Sequence, residues 1–159
     1  MKSEIKFVPL EAKHASIVPY LRQVDIDENN AMTGLSPDVA VAFSIAHTEK
    51  GFAVVYKENV VAIFGISEGG VIWLVGTDEI TKHPVTFYRM SKKYFEILKT
   101  GYKRLFNYVD KRNYLTLKWL KWLGFKIEKE QYINNHLFHY VHWDNPSVDK
   151  STSPLDRGD

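Results

Sequence analysis

A short apolar helix with marked ends lies near the C-terminal end of this chain and constrains the fold more than any other segment. Asn113 opens the helix soon after a strand-like run at residues 105–109, and Gly124 with Phe125 ends it eleven positions later. Asn is favoured at a helix N-cap, and Gly is favoured just beyond a helix C-terminus. A helix held between two strands in this way predicts an α/β domain in which the helix packs against a sheet.

The composition limits the class of protein. The 159 residues suffice for one domain, and 45% of them are hydrophobic and 25% charged. A formal net charge of +2 gives no strong field for nucleic acid, and the absence of cysteine excludes disulfides and thiol chemistry. No apolar run is long enough to span a bilayer, and the N-terminus has no apolar signal core. We therefore expect a cytosolic protein with no nucleic-acid or membrane partner.

Hydrophobic periodicity and turn residues predict one domain at residues 1–143 and a disordered polar tail at residues 144–159. Residues 25–34 are polar and rich in helix breakers, so we predict a loop there. Val39, Phe43 and Ala46 share one face of the next helix. The predicted strands are residues 5–8, 52–56, 60–66, 71–75 and 105–109 with a hairpin of 125–133 and 136–143, and the predicted helices are 11–21, 37–47, 84–99 and 113–123.

This order of elements, together with the spacing from Asn113 to Gly124, resembles the Gcn5-related N-acetyltransferase (GNAT) fold. The resemblance covers residues 5–143 and implies an α/β (α+β) protein with a central mixed, mostly antiparallel sheet flanked by helices. In that family the Asn contacts the pantetheine arm of coenzyme A. A plain N-cap is the competing interpretation of Asn113, and the two roles can coexist.

Two family features are missing. GNAT enzymes hold the coenzyme A pyrophosphate on a glycine-rich loop between the fourth strand and the following helix. Here residues 75–84 lack the Gly-x-Gly motif and carry Asp78 and Glu79, which would repel phosphate, and Pro84 has no N–H. The Tyr that protonates the departing thiolate corresponds to Leu120, which cannot donate a proton. We therefore name no catalytic residue, and we expect acyl-CoA chemistry to be weak or lost.

If an acyl-CoA binds nonetheless, the resemblance implies that its pantetheine lies between the strands at 71–75 and 105–109. The candidate cofactor-binding residues are then Val75, Thr77, Lys82 and Asn113. We predict no metal site, because histidines three apart on a strand, as at positions 136, 139 and 142, alternate between its faces.

A narrower resemblance joins three segments of the C-terminal half. The Trp73-x-Val75-x-Thr-Asp strand end, the Asn-Tyr-Val run at residues 107–109 and the Leu-Lys-x-x-Gly run at 120–124 are similar to a GNAT-like family of tailed bacteriophages, called internal virion protein A. The resemblance implies a role in virion morphogenesis through contacts with other virion proteins or with itself, in the host cytoplasm or the virion. The alternative is an acetyl-CoA-dependent N-acetyltransferase with an atypical phosphate loop.

The last helix is apolar on more than one face. We expect Leu115, Trp119 and Trp122 to share one face, and residues 117, 120 and 123 to form an opposing one. Only one face can pack on the sheet, so part of the other is expected to be exposed beside Lys118 and Lys121. Exposed aromatics beside cations favour a protein–protein contact, whereas the basic residues alone indicate a solvated face.

Overall fold

The computed structural model describes residues 5–146 as one seven-stranded sheet with helices on both faces. The spatial order is β1-β2-β3-β4-β5-β7-β6, and every neighbouring pair is antiparallel except β4 and β5. The sheet is therefore mixed and mostly antiparallel, as predicted. The strands are β1 Lys6–Pro9, β2 Thr48–Tyr56, β3 Asn59–Ser67, β4 Val71–Gly76, β5 Arg104–Asp110, β6 Lys126–Ile133 and β7 His136–Asp144, and the helices are α1 Gln23–Thr33, α2 Pro37–Ala46, α3 Pro84–Leu98 and α4 Tyr114–Trp122.

Two apolar clusters lie on the two faces of the sheet. The larger cluster joins Ile72 and Leu74 of β4 to Phe87 of α3 and Trp119 of α4. On the opposite face, Ile63 of β3 packs with residues of α2 and of a 3₁₀ helix at Ala12–Tyr20. Side chains alternate between the faces along each strand, so β4 contributes to both clusters. This two-sided cover explains why β4 is apolar throughout.

The predicted β6–β7 hairpin is confirmed, and its turn has the same form as the turn between β2 and β3. The β2–β3 turn places Lys57 and Glu58 at φ of 49° and 68°, and the β6–β7 turn places Asn134 and Asn135 at 50° and 65°. Two successive positive φ angles match the right-handed twist of the flanking strands. Asn tolerates this region better than most residues, so the second turn was recognisable from the sequence.

The loop predicted at residues 25–34 is wrong, because residues 25–33 belong to α1. The helix has almost no hydrophobic period, and its inward face carries Asp25 and Ala31 rather than a row of aliphatic side chains. Gly34 at φ 73° ends it in the left-handed conformation. The helix predicted at residues 11–21 is present as a 3₁₀ helix that contains Pro19.

Predicted faces of α2 and α4 are also corrected. Val39 and Phe43 are exposed, and Val41 is the buried residue of α2. In α4 the buried residues are Thr116, Trp119 and Leu120, followed by Leu123 just beyond the helix. This i, i+3, i+4, i+7 set forms one wide stripe, so residues 119 and 120 lie on the same face rather than on opposing ones.

The C-terminal edge of the sheet is formed by β6, whose pairing with β7 shifts register between Ile127 and Glu130. At the end of β7, Arg104 donates to both carboxylate oxygens of Asp144, at 2.7 and 3.0 Å. Asn145 is buried and donates to the Tyr102 carbonyl. These first two residues of the predicted tail are therefore attached to the domain, and residues 147–159 lie outside the described residues. Among the helices at 5–146, none is long and apolar enough to cross a membrane.

Candidate active site

The parallel strands β4 and β5 part soon after they meet. Among the described residues they share one register pair, Val71 with Phe106. The next ladder bond of a parallel pair would run from the Tyr108 N–H to the Ile72 carbonyl. Instead the side chain of Asn107 stands between them, since its amide donates to the Ile72 oxygen at 2.7 Å and accepts from the Tyr108 N–H at 2.7 Å. Asn107 thus acts as a wedge: its side chain bonds the backbone groups that the two strands would otherwise share, and it holds the strands apart.

A cavity of about 550 Å³ occupies the resulting gap. Residues from both faces of the sheet line it, so it passes through the sheet at the point where β4 and β5 diverge. On one side lie α1 and α2, and on the other side lies α4. The lining residues are Asp25, Glu28, Asn29, Met32, Thr33, Phe43, Ser44, His47, Ser67, Glu68, Val71, Ile72, Trp73, Leu74, Val75, Asn107, Tyr108, Val109, Thr116, Trp119 and Leu120.

Asp25 of α1 closes the carboxyl end of β4. Its carboxylate accepts from Arg22 Nε at 3.0 Å, Arg22 Nη2 at 2.9 Å, the Gly76 N–H at 2.9 Å and Asn113 Nδ2 at 3.2 Å. Burial raises the pKa of Asp25, and these four donors act against that rise. Because these four bonds fix the carboxylate in one orientation at the end of β4, we assign Asp25 a positioning role.

Glu28 lies one turn further along α1, at the carboxyl end of β5. Its oxygens accept from the Asp110 N–H at 2.5 Å and from Asn113 Nδ2 at 2.8 Å. Burial is the largest cause that raises the pKa of Glu28, to about 7, with help from the neighbouring carboxylates of Asp25 and Asp110. A carboxylate that titrates near neutral pH and borders a cavity is suited to accept a proton from a bound substrate.

Asn113 connects the two carboxylates to α4. Its side-chain oxygen accepts from the Thr116 N–H at 3.3 Å, so the predicted N-cap is confirmed. The same oxygen accepts from Arg22, and the amide nitrogen donates to both Asp25 and Glu28. The side chain is fully buried. Its predicted contact with pantetheine stays a prediction, because the donors and acceptors of this amide already have protein partners.

The α4 side of the cavity carries two polar atoms without a partner. Thr116 Oγ1 and Trp119 Nε1 are both buried and make no hydrogen bond among the described residues. Thr116 is 5% exposed and Trp119 1% exposed. Unsatisfied polar groups at such burial are rare and costly, so these two atoms are candidates to bond a molecule that enters the cavity. Leu120 beside them contributes only apolar surface.

In the segment between β4 and α3, most backbone N–H groups already donate hydrogen bonds within the protein. Thr77 N–H donates to the Val61 carbonyl at 2.9 Å, Glu79 N–H to Thr77 Oγ1 at 3.2 Å, and Ile80 N–H to the Thr77 carbonyl at 3.3 Å. The segment forms a short 3₁₀ helix, Asp78–Lys82, whose first residues are acidic. No cradle of free amides for a pyrophosphate is present at this place in the described chain.

The structure separates the four residues predicted to bind the cofactor. Val75 lines the cavity, and Asn113 lies next to it behind Glu28. Thr77 caps the 3₁₀ helix, and Lys82 is exposed with its ammonium 3.5 Å from Glu79. Between residues 5 and 146 there is no group of three side chains able to hold a metal ion.

Sequence reasoning missed Asp25, Glu28 and Asn107. The two carboxylates lay in the segment that we predicted as a loop, and their i, i+3 spacing is the only signal of a shared helix face. Asn107 lay inside a predicted strand, where a polar side chain at an otherwise apolar position marks a departure from regular pairing. Neither signal indicates a functional role unless the residues that Asp25, Glu28 and Asn107 contact in the folded protein are known.

Three solved structures share this architecture over most of their length. Ard1 from Thermoplasma volcanium has a TM-score of 0.66 at 12% identity, covering 88% of this chain and 97% of that chain. SpeG spermidine N-acetyltransferase from Vibrio cholerae has a TM-score of 0.57 at 12% identity, with coverages of 89% and 94%. AAC(6')-Ib, in complex with ribostamycin and coenzyme A, has a TM-score of 0.60 at 10% identity, with coverages of 94% and 98%.

No protein-family model and no curated protein sequence matches the chain. At identities this low, the structural likeness establishes the fold alone. The chain has the GNAT fold, as the resemblance implied.

Proposed function

We propose that this protein is an acyl-CoA-dependent N-acyltransferase. The observation that carries the proposal is the cavity through the sheet, with Glu28 on one side and two unpartnered polar atoms on the other. One side can receive an amine and the other can receive the acyl donor. This arrangement favours the enzyme alternative over a protein whose chemistry has been lost.

The residues present fit one end of an acyl-CoA. Thr116 and Trp119 offer a hydroxyl and an indole N–H to a polar chain in the gap, such as the amides and thioester of an acyl-pantetheine. When bound, that group supplies an activated acyl carbon. The segment at 77–83 does not fit the phosphate end, because its amides are used and its carboxylates repel phosphate.

The acceptor side fits an ammonium group. Asp25 and Glu28 line it, and Glu68 stands at its mouth with an exposed carboxylate. The rings of Trp73 and Tyr108 face the same space, and aromatic faces attract cations. SpeG acts on spermidine and AAC(6')-Ib is seen with ribostamycin, and we extend from them to this chain only the class of acceptor, a primary amine.

Glu28 would accept one proton from the bound ammonium, which frees the nitrogen lone pair for attack on the acyl carbon. The new C–N bond forms as the C–S bond breaks. The nitrogen then loses a second proton, and the departing sulfur takes up a proton through solvent. Asn113, which Asp25 holds through a bond to the same amide nitrogen, keeps the Glu28 carboxylate in place for the first step.

The test is an acetyl-transfer assay with acetyl-CoA and a panel of primary amines that includes spermidine and an aminoglycoside. We expect the wild-type kcat/KM to rise with pH through about 7, because only ionised Glu28 can accept the proton. Glu28→Gln should lower kcat by about 100-fold or more and remove that pH step.

Asp27→Asn is the matched control, since Asp27 neighbours Glu28 on α1 but pairs with Gln23 rather than lining the cavity. It should leave both rate and pH profile unchanged. Acetyl transfer to no amine in the panel, or transfer by Glu28→Gln at the wild-type rate and pH profile, would refute the proposal. The role in virion morphogenesis and its protein partners stay predictions from the sequence.

A further inference from the structure

The acceptor half of the cavity has few charged groups. Within residues 5–146, its carboxylates are Asp25, Glu28 and Glu68, and no lysine or arginine lines it. Asp25 already accepts four hydrogen bonds inside the protein. Glu68 lies 3.7 Å from His47 Nδ1 with its side chain 73% exposed, so it stands in water at the mouth. Among the described residues, Glu28 is therefore the one buried carboxylate available to an incoming ammonium group.

Aromatic side chains from three elements line the same half of the cavity. Phe43 belongs to α2, Trp73 to β4 and Tyr108 to β5. The Trp73 indole N–H donates to Thr48 Oγ1 at 2.9 Å, which fixes the orientation of its ring. The centroid of the Tyr108 ring lies 5.1 Å from that of Tyr140. Rings that neighbouring residues already hold in place offer apolar area to a ligand at a small cost in side-chain entropy.

These two features select the class of amine. Met32, Phe43 and Trp73 form an apolar part of the wall. A second ammonium group on the acceptor would lose hydration there without gaining a buried carboxylate from the described residues. The exposed Glu68 offers little in its place, because a carboxylate in water contributes little to an ion pair. A carboxylate on the acceptor would be repelled by Glu28, whereas an uncharged aromatic body gains contact with the rings as it leaves water.

We propose that the acceptor is a primary monoamine with an uncharged aromatic body. Its ammonium group enters toward Glu28, and its body packs among Phe43, Trp73 and Tyr108. This inference rests on the proposed function, since it names the substrate class of the same acceptor site. Phe43 and Trp73 are then specificity-determining residues that take no part in proton transfer.

Matched pairs of amines separate the features of this class in the acetyl-transfer assay with the full chain. Heptylamine and hexamethylenediamine have the same number of heavy atoms and differ by one ammonium group. Phenethylamine and phenylalanine differ by one carboxylate. We expect kcat/KM to be about tenfold or more higher for heptylamine than for the diamine, and for phenethylamine than for phenylalanine. Phenethylamine should also exceed heptylamine, because it adds the ring.

Two substitutions at one exposed position of the wall test the assignment. Phe43 is 60% exposed, so its replacement should cost little stability. Phe43→Glu places a second carboxylate beside the apolar wall and should shift the preference about tenfold toward hexamethylenediamine. Phe43→Leu should lower kcat/KM for phenethylamine more than for heptylamine. Val39→Glu is the matched control and should keep the wild-type preference, because Val39 lies one turn earlier on α2, is 51% exposed and does not line the cavity.

Calorimetry with phenethylamine in the absence of an acyl donor gives a second readout. Phenethylamine should bind wild type and Val39→Glu alike, and Phe43→Leu more weakly. Equal kcat/KM for heptylamine and hexamethylenediamine in wild type would overturn the proposal. Transfer to phenylalanine as fast as to phenethylamine, or the same change of preference in Val39→Glu as in Phe43→Glu, would overturn it too.

Failure of the two proposals can be told apart. If phenethylamine binds more tightly than hexamethylenediamine, Phe43→Glu reverses that order and no amine is acetylated, the monoamine class stands and the acyltransferase proposal fails. If acetyl transfer depends on Glu28 but favours hexamethylenediamine or spermidine, the acyltransferase stands and the monoamine class fails.

Discussion

Replacing Glu28 by Gln should change how the stability of the protein depends on pH. The pKa of Glu28 is raised from 4.5 to about 7 in the folded protein. The folded state therefore holds its proton where the unfolded state has lost it, and the free energy of unfolding falls as pH rises between these two values. At about 1.4 kcal/mol per pKa unit, this loss amounts to about 2–3 kcal/mol between about pH 5 and pH 8.

The glutamine side chain of the Glu28→Gln variant has no proton to lose, so the variant lacks this contribution to the pH dependence. Urea unfolding near pH 5 and near pH 8 gives the change in the free energy of unfolding between these pH values for each protein. The contribution of Glu28 is the difference between the change in wild type and the change in the variant. Contributions of Asp25 and of the other acids common to both proteins cancel to first order in that difference. We expect the variant to gain about 2–3 kcal/mol on the wild type as pH rises, whatever its stability near pH 5.

If the free energies of unfolding of the two proteins depend on pH in the same way, then folding does not raise the pKa of Glu28. The assignment of Glu28 as a base near neutral pH would then be refuted. A difference of the opposite sign would mean that its hydrogen bonds from Asp110 and Asn113 outweigh burial.

Three further substitutions test the site around Glu28. Asn113→Ala should lower the free energy of unfolding by about 3 kcal/mol in urea titration. The substitution removes an N-cap and leaves buried Arg22 and Glu28 with fewer hydrogen-bond partners. A loss below about 1 kcal/mol would contradict this. Thr116→Val should leave the melting temperature unchanged or higher while raising the KM for acetyl-CoA, since the hydroxyl has no partner in the protein. Asn107→Ala should let Tyr108 bond Ile72 directly and close the gap, so coenzyme A binding by calorimetry should fall about tenfold with little change in melting temperature; unchanged binding would show that the wedge is not needed.

The sequence predicted the elements whose signals are local. The Asn113 cap, the Asn134–Asn135 turn and the helix predicted at residues 84–99 each depend on residues within a few positions, and the structure confirms all three. The GNAT fold followed from their order. These signals require no knowledge of the tertiary neighbours.

Helix α1 could not be predicted in the same way. Its buried face is made of Asp25 and Ala31 with Glu28 beside them, so no hydrophobic period marks it. What makes this face stable is a guanidinium from Arg22 and an amide from Asn113, which is 85 to 91 residues distant from these partners. The candidate base was therefore hidden in the segment that looked most like a loop, because its burial depends on charge pairing rather than on apolar surface.

That long-range pairing has a kinetic consequence. The bonds from Glu28 to Asp110 and Asn113 and from Arg22 to Asn113 close loops of more than 80 residues. Contacts at such separation form after the local hairpins β2–β3 and β6–β7, because closing a longer loop costs more entropy. Substitutions in this network should accelerate unfolding and leave the refolding rate nearly unchanged. The two walls of the cavity are thus joined late, and a chain that has refolded everywhere else still lacks one wall of the cavity until α1 docks.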